Sequence, residues 1–61
     1  MKVLIKKREQ KMRMGPSKEY PENGFVTAGS VFTIIEQKNG YGLLLSRAGW
    51  IELKYVEVLE G

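Results

Sequence analysis

Sixty-one residues with no cysteine, no histidine and a formal net charge of +3 bound what this chain can be. Such a length supports one small core, because a domain of this size buries only about 60% of the surface its unfolded chain exposes. The missing residue types exclude disulfide staples, thiolate nucleophiles, imidazole bases and the commonest zinc ligands, so turns and tight packing have to hold the fold.

The charge is uneven. Residues 1 to 18 carry seven basic side chains against the single acid Glu9, a balance of +6, and residues 19 to 61 carry three bases against six acids, a balance of −3. A basic first third suits an anionic partner, either nucleic acid or the phosphate polymers of a bacterial wall, although exposed charges most often only solvate strand faces. No apolar run approaches the ~20 residues of a membrane span, and Val3-Leu4-Ile5 is too short for a signal-peptide core. The chain is therefore expected to be soluble as it stands, with no membrane partner and its compartment left open.

In chain order, residues 2 to 7 read as a first strand in which Val3 and Ile5 alternate with Lys2 and Lys6. Residues 8 to 11 read as a polar connection. Lys11-Met12-Arg13-Met14 alternates and then breaks at Gly15-Pro16-Ser17; Met12 and Met14 share a face and are expected to fill core space under a long loop. Residues 15 to 24, with both prolines, two glycines and Asn23, read as that loop, with Tyr20 between the prolines. Phe25-Val26 is a short strand ended by Ala28-Gly29. Val31 to Gln37 is the best strand of the chain, with Phe32, Ile34 and Glu36 on one face and Val31, Thr33, Ile35 and Gln37 on the other.

Asn39-Gly40 reverses the chain cheaply because both residues tolerate positive φ, and Ala48-Gly49 is expected to do the same eight residues later. Between them Tyr41 to Leu45 runs back with both faces apolar. Trp50-Ile51 follows, Glu52 to Tyr55 fits one 3₁₀ turn, and Val56 to Leu59 supplies a closing strand. No segment of ten or more residues carries a 3.6-residue period. The expected fold is all-β, a small barrel of five to seven short strands with a single 3₁₀ turn.

The ordered motifs Met12-Arg13-Met14-Gly15-Pro16-Ser17, Tyr20, Gly29-Ser30 before the strand Val31 to Gln37, Lys38-Asn39-Gly40-Tyr41, and Ala48-Gly49-Trp50-Ile51 with Leu53, Tyr55 and Val56 point one way. Over residues 11 to 59 the chain resembles the bacterial Src-homology-3-type domains that serve as targeting modules on peptidoglycan hydrolases of Firmicutes and their phages. Residues 1 to 9 lie outside that pattern, as an added strand. Gln10-Lys11-Met12 stands where the family usually has Leu-Asn-Val. Leu43 and Leu45 stand where relatives often carry Lys, so with Val31 and Ile35 they are expected to form an apolar patch, covered by Val3, Leu4 or Ile5 or by a second copy of the chain.

Catalysis is not expected. Ser17, Ser30 and Ser46 have no histidine base, and Glu36, Glu52, Glu57 and Glu60 read as solvated charge and not as a glycosidase pair. No phosphate-cradling glycine loop is present, and no cofactor or metal is expected. Binding is the natural task. The resemblance implies that a peptidoglycan stem or cross-bridge peptide lies in a groove between the long loop and the closing aromatic cluster, with a lytic domain attached and the wall as its location. Tyr20, Trp50 and Tyr55 could wall such a groove, and Glu22 and Asn23 could meet peptide amides or a free amino terminus. The other reading makes these aromatics core or rim residues of a tiny domain, and it is the favoured one for Trp50. The alternatives are a nucleic-acid-binding barrel that uses Lys2, Lys6, Lys7, Arg8, Lys11 and Arg13 on phosphates, or an interaction module that dimerises through Leu43 and Leu45. Basic and aromatic residues sharing one sheet face would mark the former. The eukaryotic proline-peptide function is disfavoured, because its Ala-Leu-Tyr-Asp-Tyr run and acidic loop are missing.

Overall fold

The computed structural model describes residues 1–60. Seven strands, β1 (Lys2–Ile5), β2 (Glu9–Arg13), β3 (Glu22–Thr27), β4 (Val31–Lys38), β5 (Tyr41–Leu44), β6 (Trp50–Glu52) and β7 (Val56–Glu60), are joined by turns and by one 3₁₀ turn, Leu53–Tyr55. The chain is all-β, as its turn chemistry and short β-branched runs predict. The strands form one antiparallel sheet in the order β3-β2-β6-β5-β4-β1-β7, which bends around a core without closing, so β3 and β7 are its edges.

The centre of the sheet follows from local chemistry. Asn39 and Gly40 have φ of 54° and 79°, the pair of positive values that a two-residue hairpin turn requires. They bring Lys38 opposite Tyr41 and zip β4 to β5 back to Ile34 opposite Leu44. The second expected turn works differently. Arg47, not Ala48 or Gly49, takes the positive φ, at 62°. Gly49 is needed for room: a Cβ there would strike Met12 Cγ and lie 3.0 Å from the Arg13 carbonyl oxygen.

Val3, Ile5, Val26, Ile34, Leu44 and Ile51 form the buried cluster, with Met1, Met12, Phe32, Leu53 and Val56 packed against it. Contributions from β1 and β3, which stand far apart in strand order, meet in this cluster, so the sheet must curl on itself. Residues 1 to 9 are more than an added strand. β1 lies inside the sheet between β4 and β7, and Val3 and Ile5 are, with Ile51, its largest fully enclosed side chains. Fully burying such an aliphatic chain is worth about 1.5–3 kcal/mol, a large share of the stability of so small a domain.

Five expectations need correction. Glu9 and Gln10 belong to β2 and not to a polar connection, because Glu9 to Arg13 pairs with β3 along its whole length. That pairing also lengthens β3 to Glu22–Thr27 and shortens the long loop to residues 14–21. Met14 is 62% exposed and fills no core, since the loop leaves the sheet at that point. Leu43 is only 7% exposed. A bulge at Ile35, between the pairs Ile34↔Leu44 and Glu36↔Leu43, shifts the parity of β4, so Glu36 does not follow Phe32 and Ile34 inward.

The apolar patch therefore differs from the one expected. Leu43 is too little exposed to form part of it, and β1 lies beside β4, Leu4 opposite Val31, without covering it. Val31 and Leu45 remain 52% and 61% exposed.

Candidate functional site

Residues directly opposite in antiparallel register share a face. The pairs Arg13↔Trp50, Leu43↔Trp50 and Tyr41↔Glu52 therefore place Arg13, Trp50, Leu43, Tyr41 and Glu52 on one side of the sheet, and Gly42↔Ile51 marks the other as the core side. Tyr41 and Leu43 are nonetheless buried, outside the core cluster. The loop 14–21 lies near them. Its base is closed by the Met14 N–H donating to the Pro21 carbonyl at 3.0 Å and by Arg13 Nη1 donating to the Tyr20 carbonyl at 3.0 Å. Its tip is tied to the hairpin turn by Asn39 Nδ2 donating to the Pro16 carbonyl at 3.3 Å.

A cleft opens beside this loop, where β2 and β6 part. The two strands pair at a single position, Arg13↔Trp50, and beyond it they splay. The opening has a volume of about 190 Å³ and is lined by Lys7, Glu9, Gln10, Lys11 and Arg13 on one side, Glu52, Tyr41 and Tyr55 on the other, and Lys18 from the loop. Gln10 holds the splayed seam together. Its side chain is 2% exposed, Nε2 donates to the Glu52 carbonyl at 2.8 Å, and Oε1 is enclosed without a partner among the described residues. The Glu52 carbonyl fixes the amide orientation, because the flipped form would set oxygen against oxygen.

Charge in the cleft is mixed and partly spent. Glu22 Oε2 lies 3.3 Å from Lys11 Nζ and 3.7 Å from Arg13 Nη2. Glu52 is 3.6 Å from Lys54 Nζ. The Lys54 ammonium is held above its ordinary pKa, first by the Tyr55 hydroxyl and then by the Glu52 carboxylate. Lys7 Nζ stands 4.4 Å from the Tyr55 ring centre and Lys54 Nζ 5.0 Å, so this ring sits among cations. Among the described residues, Lys7, Lys18 and Glu9 form no ion pair.

The residues expected to bind fall into two groups. Tyr55 lines the cleft, as do Lys7, Lys11 and Arg13 of the basic set. The others stand outside its lining. Tyr20 is in the loop with its ring seated on Gly15, Trp50 is half-buried at the closed end of the seam, and Glu22 is engaged with Lys11 and Arg13. Asn23 Nδ2 donates to the Ala48 carbonyl at 2.7 Å, which ties β3 to the turn before β6. Lys6 pairs with Glu57 at 3.3 Å, and Lys2 stands 4.0 Å from Glu60, on the far side of the sheet order with β1 and β7. Arg8 is exposed beside the cleft residues in sequence and is not among its walls.

Sequence reasoning missed Glu9, Gln10, Lys18, Tyr41 and Glu52. A signal existed for Gln10: it has the parity of Met12 in a run that alternates back to Glu9, so extending the Lys11–Met14 pattern by two residues would have turned it inward. No family model, curated protein or solved structure matches the chain.

Proposed function

We propose that this chain is a non-catalytic binding module that takes a short peptide in the cleft between β2 and β6, and that its peptide belongs to the bacterial cell wall. The observation that carries the binding reading is the cleft itself: a splayed seam beside an ordered loop, with two tyrosines and a set of opposite charges around an enclosed amide. Such a mixture suits a ligand with backbone amides and ends of both charges. The wall assignment rests on the resemblance of residues 11 to 59 to Src-homology-3-type targeting modules. One small cleft buries little area, so affinity is weak and tethering to a lytic domain supplies the effective concentration.

Sedimentation with purified Gram-positive walls tests this. The chain is expected in the pellet, with no release of wall fragments. All of it remaining in the supernatant would refute the wall reading.

One observation favours a second reading. Lys7, Lys11, Arg13 and Lys18 share the cleft with Tyr41 and Tyr55, the meeting of bases and rings that single-stranded nucleic acid uses. Glu9 and Glu52 in the same walls weigh against a polyanion. Binding to an oligothymidylate that falls steeply with salt, with no wall sedimentation, would establish it in place of the first.

A further inference from the structure

Resting on the reading of the cleft as a peptide site, we infer that the cleft receives the carboxylate end of its peptide, held between Lys7 and Lys18. Size is the first argument. The opening of about 190 Å³ is smaller than the roughly 300–1,000 Å³ that encloses a drug-sized ligand, and it holds a terminal group and not a stretch of chain with its side chains.

Charge is the second argument. Lys11 and Arg13 share the one carboxylate of Glu22, which leaves that group with one positive charge, and Glu52 is matched by Lys54. What remains among the described cleft residues is two cations, Lys7 and Lys18, against one anion, Glu9. The excess is two positive charges, one within the Lys11–Arg13–Glu22 group and one at Lys7 and Lys18, and the latter, with no carboxylate in ion-pair contact, complements a single carboxylate. A phosphate chain would bring repeated negative charge against Glu9 and Glu52, whereas a peptide carboxylate brings one.

The third argument is Gln10. Its Oε1 is an enclosed acceptor with no donor, and such a group is costly to leave unpaired. The last amide N–H of a peptide, one residue from its carboxylate, is a donor that meets this acceptor on a slight widening of the seam. Lys7, over the Tyr55 ring, and Lys18 are both exposed, so their ammonium groups are accessible to the carboxylate for charge-assisted hydrogen bonds.

The test uses the full chain, isotope-labelled for amide NMR, titrated at low salt with N-acetyl-tetra-alanine as the free acid and as its C-terminal amide. The acid is expected to shift the signals of Lys7, Gln10, Lys18, Tyr41 and Tyr55 and to bind about tenfold or more tightly than the amide. The double variant Lys7→Gln, Lys18→Gln is expected to lose that preference with an unchanged melting curve. Lys2→Gln, at a lysine that is not among the cleft walls, retains it.

Equal binding of acid and amide, shifts confined to other surfaces, or no shifts at millimolar peptide would each overturn the inference. So would an oligothymidylate that moves the same signals at lower concentration, which would assign the cleft to nucleic acid. Wall sedimentation separates the two levels. If walls pellet the parent chain and the double variant alike, carboxylate capture is overturned and the wall reading stands. If walls pellet neither while the acid binds the cleft, carboxylate capture is supported and the wall reading falls.

Discussion

The β4–β5 hairpin and the β2–β6 seam are antiparallel contacts of one sheet, yet the first is paired at four register positions and the second at one. The hairpin closes through two residues whose backbone is suited to the turn, and it brings Ile34, Leu43 and Leu44 together. Its zipping removes apolar surface from water. The seam joins strands distant in sequence and offers Glu9, Lys11 and Glu52, which gain nothing from being pressed together. It stays open, bridged by one glutamine. The comparison teaches that a binding cleft in so small a domain needs no cavity carved from the core. A stretch of sheet where hydration outweighs pairing is sufficient.

The sharpest way to break both regions at once is Ile51→Ala. Ile51 is fully enclosed and its strand borders hairpin and seam alike. Truncation costs about 2–5 kcal/mol. A single core of this size supplies roughly 3–5 kcal/mol, so the cooperative thermal transition is expected to disappear near room temperature.

Gln10→Glu breaks the seam alone and does so with pH. An enclosed carboxylate set against the Glu52 carbonyl loses the donor and buries an unpaired charge, for a loss of about 3 kcal/mol at neutral pH. Burial raises the folded pKa of that acid above its unfolded value of about 4.3. The protonated acid again donates, so the variant's stability is retained below the unfolded pKa and lost as pH rises through the folded one. Melts at pH 4 and pH 7 check this: the gap from the parent chain is expected to widen upward.

Gly40→Val weakens the hairpin alone, because a β-branched residue at φ 79° costs about 1–2 kcal/mol. Its melting temperature is expected to fall while the free-acid peptide still shifts Lys7 and Tyr55; loss of those shifts in the folded variant would show that seam and hairpin are coupled. The smallest effect belongs to Lys6→Ala. Its pair with Glu57 is exposed and outside both regions, so stability is expected to change by less than about 0.5 kcal/mol in a denaturant titration.

Much of the fold was legible in advance because its causes are local. Positive φ at Asn39 and Gly40, β-branching from Val31 to Ile35 and a break at Gly15-Pro16 act within a few residues and left little freedom. Where the reading failed, the cause was non-local. Glu9 and Gln10 look like connection by composition and become strand because β3 lies beside them. Glu36 looked inward until the Ile35 bulge shifted the parity of β4, and Leu43 does lie on the face away from the core that it shares with Trp50 and Tyr41, yet both it and Tyr41 are buried there.

The candidate site follows the same division. Tyr55, Lys7, Lys11 and Arg13 could be named from their types, and nothing in their order showed that Lys18 and Tyr41 would join them. By itself, the sequence determined an all-strand domain with one core, a two-residue hairpin and an ordered loop, since these depend on propensity and short-range sterics. The tertiary structure alone decided which strands would part and which charges would be left without partners around the opening. Those depend on how a sheet bends over a small core, which is a property of all seven strands together.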